Sequence, residues 1–239
     1  MTTDQNKPSH AWLGAAIVSL GIVIAAALIA QALNAYQDSR RQVSVKGLAE
    51  RQVDADLALW PLNFLVTGNQ LDQVQQEVER QADLLRQFLL DAGFKAEDLQ
   101  MSMPSIEDMQ INNYGNQQPK ARYKSSPTLL VRTHDVARVK ATMQKVGQVI
   151  RQGVALTQSY EYRPQFLFTR LNDIKPEMIA QATANAREAA ARFARDSGAQ
   201  VGGIRHAEQG YFSINDLDSY TPEVKKIRVV TRIDYQLED

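Results

Sequence analysis

Between His10 and Asp38 the chain carries no charged residue, and the segment AWLGAAIVSLGIVIAAALIA is apolar except for Ser19. No other feature restricts the fold as much. Twenty helical residues rise ~30 Å, the thickness of a bilayer's hydrocarbon core. The run therefore reads as a transmembrane anchor over residues 11–35, with Trp12, Leu13, Ile17, Leu20, Ile24 and Leu28 as its anchoring residues. A cleaved signal peptide is the alternative, since Ala30-Gln31-Ala32 offers a small-x-small cleavage site. The apolar region of a signal is usually ~7–15 residues, so its length favours a retained anchor. Residues 1–10 form a short polar tail and residues 36–42 a linker. Gln37 to Gln42 reach no more than ~20 Å when fully extended, which holds the following domain close to the bilayer. Lys7 flanks one side of the run and Arg40 and Arg41 the other, so charge bias leans weakly towards a cytoplasmic domain.

Residues 43–239 can bury a core without staples. The chain has no cysteine, which excludes disulfides and thiolate chemistry. Its 27 Lys plus Arg balance 27 Asp plus Glu, so no global field draws in nucleic acid. Lys120, Arg122 and Lys124 alternate, and the zero net charge makes them a solvated strand face.

Val43, Val45, Gly47 and Ala49 alternate with polar residues, as in a half-covered strand. DLALWPLNFLVT is apolar in both phases, as in a central strand, and Pro61 marks a bulge or an edge within it. Asn69 is placed to cap a helix with the stripe Leu71, Val74, Val78, Ala82, Leu85, Phe88 and Ala92, ended by Gly93. A strand over Leu99–Met109 and a loop at NNYGNQQP follow. Asp135 caps a second helix, ended by Gly153, and TQSYEYRPQFLFTRL is a further strand. Pro176 fits the first turn of a third helix whose inward stripe is Ile179, Ala182, Ala186, Ala189 and Phe193. Its alanines allow close packing, and Gly198 ends it. Gly202-Gly203 suggest a bulge in the returning strand. The last strand alternates Ile227, Val229, Thr231, Ile233, Tyr235 and Leu237 with charged residues. The pattern predicts an α+β fold, mainly antiparallel sheet with helices packed on one face.

VSVKGLAERQVDADLALWPL, NAREAAARFARDSGAQVGGI and VKKIRVVTRIDYQLED resemble the opening strand pair, the Ala-rich helix with its returning strand, and the closing strand of SIMPL-domain proteins. The resemblance implies an envelope or periplasmic protein, in some relatives linked to oxidative-stress defence. It also implies a homo-oligomer, ring- or channel-like as in some relatives. It supplies no catalytic residues. It argues for a domain on the periplasmic side of a bacterial inner membrane, and outweighs the charge bias.

No reactive constellation is legible. His10, His134 and His206 lie far apart, and no zinc, phosphate-loop or nucleophile-elbow motif occurs. Asp216 and Asp218 lack the spacing of a calcium loop. Met101, Met103 and Met109 lie close together, which suits either core filling or reversible oxidation. The reading is of a non-enzymatic, membrane-anchored protein that self-assembles through its SIMPL-like domain, without catalytic residue, metal or cofactor. The alternative is a small-ligand-binding or enzymatic module with a site of scattered polar residues.

Overall fold

A computed structural model describes residues 19–31, 41–103, 105–111 and 120–238. Residues 19–31 are helical (α1) and exposed throughout. Leu20, Ile24 and Leu28 lie in α1, at 62%, 52% and 61% exposure. Trp12, Leu13 and Ile17 lie outside the described residues, as do the tail, most of the linker and the whole NNYGNQQP loop. Among the described residues, no helix is long and apolar enough to cross a membrane.

The strands are β1 (Gln42–Asp54), β2 (Leu57–Asn63), β3 (Val66–Gly68), β4 (Leu99–Met101), β5 (Ile106–Asp108), β6 (Tyr123–Ser125), β7 (Thr128–Thr133), β8 (Gln165–Leu167), β9 (Gln200–Gln209), β10 (Ser213–Asp216) and β11 (Val224–Glu238). The helices after α1 are α2 (Leu71–Asp91), α3 (Val136–Met143), α4 (Gly147–Arg151) and α5 (Leu171–Asp196). The expected α+β class and antiparallel pairing are present. The strands form three sheets, however: β1-β11-β10 with β9 also on β11, β4-β7-β2-β8, and β3-β6-β5.

The chain divides into two compact units. One takes the chain up to Ala49, then Glu177–Tyr211 and Val229–Asp239. Its core joins Val45, Ile233 and Tyr235 to Ala186 and Ala190 of α5. The helix lies almost on the strand. A Cβ added at Gly47 would stand 1.8 Å from the Ala182 carbonyl oxygen. The Asn185 amide donates to the Leu48 carbonyl at 2.7 Å and fixes the helix there. At so short a separation only small side chains fit between the backbones. Beyond Met178, the buried ridge is therefore all alanine, Ala182, Ala186, Ala190 and Ala194, one residue in every four. The expected ridge through Ile179, Ala189 and Phe193 is corrected by this, and Phe193 is 61% exposed. The helix also begins earlier than expected, at Leu171, which leaves Pro176 inside it. Gly198, at φ +71°, ends it as expected. The register of β9 against β11 slips on both sides of Tyr235, and one slip spans Gly202-Gly203, where the bulge was expected.

The other unit takes Glu50–Pro176 and Phe212–Arg228. Its core surrounds β2, which is apolar in both phases because it is a central strand with β7 on one side and β8 on the other. Helix α2 buries Val74, Val78, Gln81, Leu85 and Leu89. Leu71 is exposed, and Gln81 takes a core position that its polarity hid. Asn69 does not cap α2. Its Oδ1 accepts from the Arg122 amide at 3.1 Å, which ties the helix entry to the residue preceding β6. Gly93 ends the helix at φ +91°. Asp135 does cap α3, its Oδ1 accepting from the Arg138 amide at 2.9 Å. The expected strand over Leu99–Met109 is broken into β4 and β5, which belong to different sheets. The Arg122 side chain pairs with Asp108 at 3.0 Å and stacks on Tyr123, so that part of the basic stripe serves the fold.

Candidate functional site

The expected strand through TQSYEYRPQFLFTRL exists only as β8, and its failure opens a cavity. Strand β8 pairs with β2 at Leu57, Ala58 and Leu59 and then leaves it. Pro61 has no N–H to offer a neighbour, so the strand edge beyond Leu59 is poorly suited to a ladder. The chain meets β2 again at its far end, where the Thr157 amide donates to the Asn63 carbonyl at 2.8 Å and the Leu65 amide to the Ala155 carbonyl at 3.0 Å. Residues 158–164 bow away from the sheet between these two attachments, through a 3-10 turn at Tyr160–Tyr162. The expectation that Pro61 marks an edge is met in this local sense.

The space left there, open on one side to solvent, is about 500 Å³. Trp60 and Leu62, each 4% exposed, line it from β2. Met143, Val146 and Ile150 line it from α3, α4 and the turn between them, and Tyr160, Tyr162 and Arg163 from the bowed segment. Among the fifteen described residues that line it, Arg163 is the one that is charged. Its guanidinium lies 4.7 Å from the centre of the Tyr160 ring, a cation–π distance. Asn63 also lines the cavity, but its amide nitrogen donates to the Ser126 and Pro127 carbonyls and to Thr128 Oγ1, and its Oδ1 accepts from Ser126 Oγ. That side chain is a structural clamp, its amide hydrogens taken up by the fold.

The far wall is held from α2. Gln81 Oε1 accepts from the Ala155 amide at 3.3 Å, next to cavity-lining Leu156. Gln81 in turn donates to Glu77 at 2.7 Å, and Glu77 takes both Arg80 nitrogens, at 2.8 and 2.6 Å. Hydrogen bonds from Arg80 and then Gln81 lower the Glu77 carboxyl to about 2. A second cavity, about 720 Å³, shares Met143, Tyr160, Arg163 and Pro164 with the first. It contains the ion pair of Lys225 with Asp216, in which the lysine is buried.

Among the described residues, the first cavity presents no carboxylate, imidazole or amine; its polar side chains include the Tyr160 and Tyr162 phenols and the Arg163 guanidinium. Among the described residues, no group of three His, Cys, Asp or Glu is placed to hold a metal. Asp216 is engaged with Lys225. Asp218 accepts from the Tyr220 and Thr221 amides at 2.7 and 2.8 Å, a turn-stabilising use. His134 lies 2.5 Å from the Asp56 carbonyl oxygen, and His206 sits on β9 opposite Asp234. His10 lies outside the described residues. Met103 is 89% exposed, so it fills no core.

A model of the SIMPL family, described as a protein of unknown function (DUF541), matches residues 43–229. This chain belongs to the SIMPL family. A search of the curated proteins gives no match. The SIMPL match contains every residue that lines the two cavities and the whole of β9. It stops at Val229, inside β11. The sequence held two signals for the cavity beside β2, namely a proline in a strand otherwise suited to pairing on both sides and a second proline, Pro164, where the next strand begins.

Proposed function

We propose that this SIMPL protein is a non-enzymatic, membrane-tethered envelope protein that assembles with copies of itself. The observation that carries the reading is strand β9. Among the described residues it pairs only with β11. From Gly203 to Gln209 it is exposed on both faces. An edge of this kind presents a row of backbone donors and acceptors on which another strand can add. His206–Gln209 keep a regular register against Thr231–Asp234, which suits continuation of the ladder. Tethering draws support from α1, whose Ile22, Val23, Ile24, Leu28 and Ile29 are all exposed and apolar. A helix apolar on every side needs lipid or protein around it.

Each subunit would bring its own anchor, so assembly multiplies membrane attachment. The family resemblance supports a domain on the periplasmic side of a bacterial inner membrane. Mass photometry of detergent-solubilised full-length protein tests the assembly, and a monomer at micromolar concentration defeats it. Protease added to intact spheroplasts tests the topology; protection of the domain would put it in the cytoplasm. A part in oxidative or envelope stress defence rests on the resemblance alone. A deletion strain as resistant to peroxide as its parent would remove it.

A further inference from the structure

The geometry points to the cavity beside β2 as a binding site for a compact amphipathic anion, an apolar body carrying one carboxylate or similar group. This does not depend on self-assembly. Its volume, about 500 Å³, falls within the ~300–1,000 Å³ of small-molecule sites. Trp60, Leu62, Met143 and Ile150 offer an apolar surface for the body. Arg163, the one charge among the described lining residues, is paired with an aromatic face and not with a carboxylate. Stacking on Tyr160 holds the guanidinium without consuming its donors, so its planar fork stays available for an anion.

The cavity's ends decide between a small molecule and a peptide strand. The open edge of β2 runs only through Trp60, Pro61 and Leu62, closed by β8 at Leu59 and by Thr157 at Asn63. Three residues of edge span roughly 10 Å, with no exit along the strand direction. An extended peptide adding to the sheet would collide with both attachments, whereas a compact ligand fits between them. The neighbouring cavity adds no competing charge, because Lys225 and Asp216 neutralise each other.

The test is calorimetric titration of the full-length protein with 2-naphthoate, with its neutral amide 2-naphthamide, and with the 2-naphthylmethylammonium cation. The naphthoate is expected to bind about tenfold or more tightly than the amide, the size of one charge-assisted pair, and the cation least. Arg163→Gln is expected to bring naphthoate and amide to equal affinity while binding of the amide persists. Arg163 is exposed, so the variant is expected to fold, and its thermal midpoint checks this. Equal affinity for all three probes, binding of none, or an undiminished preference in Arg163→Gln would each overturn the proposal.

Discussion

Gly47 and Ala182 meet backbone to backbone. A Cβ on Gly47 would stand 1.8 Å from the Ala182 carbonyl oxygen and 2.6 Å from the Ala186 amide nitrogen. Neither neighbour is the end of a flexible side chain, so nothing can give way without moving α5. Gly47→Ala is therefore expected to destabilise the protein by about 3 kcal/mol, the upper part of the overpacking range. Gly203, with nothing within 4 Å of its added Cβ, is the control, and Gly203→Ala is expected to stay within about 0.5 kcal/mol. Urea denaturation midpoints of the two variants check both.

The alanine ridge makes a complementary prediction. Ala186 is fully buried between α5 and β1, and Phe193 is exposed. Ala186→Leu is expected to cost about 3 kcal/mol, and Phe193→Ala less than about 0.5 kcal/mol. If the inward face ran through Phe193, the order would be reversed in the same denaturation experiment.

Asp56 joins β2 to the start of α5. Its Oδ1 accepts from the Thr169 amide and hydroxyl, both at 2.9 Å, and its Oδ2 from Arg170 at 3.3 Å. Burial alone would raise its pKa, but the bonds from Thr169 and Arg170 together outweigh burial and hold it below the ordinary 3.8. A depressed carboxyl stabilises the fold above its unfolded pKa, and the contribution is lost as pH falls through the lower folded value. Asp56→Asn is accordingly expected to cost about 1 kcal/mol at pH 7, with the gap to wild type closing below about pH 4. Paired melts at pH 7 and pH 3 measure it; a gap that widens in acid would contradict the sign.

Gln81 is a polar residue whose burial is used at a distance. Gln81→Leu would leave the Ala155 amide without its partner and take one donor from Glu77. The expected cost is about 0.5–1.5 kcal/mol, that of one lost hydrogen bond. Hydrogen exchange is expected to quicken around residues 154–158, the far wall of the cavity, while the β7 amides stay protected.

Lysines on an edge strand oppose strand addition. Ile204→Lys with Ala207→Lys is expected to convert the proposed assembly to monomer by mass photometry. Both residues are exposed, so the thermal midpoint should change little.

Much of the fold was legible because its signals are local. The β11 alternation, the turns at Gly93 and Gly198, and the Asp135 cap each depend on a few neighbouring residues. The α5 face was misjudged because size usually predicts burial, and here the strand lies too close for size to fit. The β4 and β5 strands could not be separated, since which sheet a three-residue strand joins depends on partners far along the chain. The cavity was hidden for a related reason. Pro61 alone signals an irregularity, but that it shares a cavity with Tyr160 and Arg163 follows from where β8 lets go of β2. Arg163 itself carries no signature in sequence, because a lone arginine before a proline reads as loop.

The family match ends at Val229, whereas β11 continues to Glu238 and carries Ile233 and Tyr235 into the core beside Ala186 and Ala190. Anyone who trims the gene to the limits of similarity would cut that strand in two. The shortened product would keep the cavity's residues yet expose the alanine ridge of α5 to water. A limit of recognisable kinship is thus a poor guide to where the polypeptide can safely be cut.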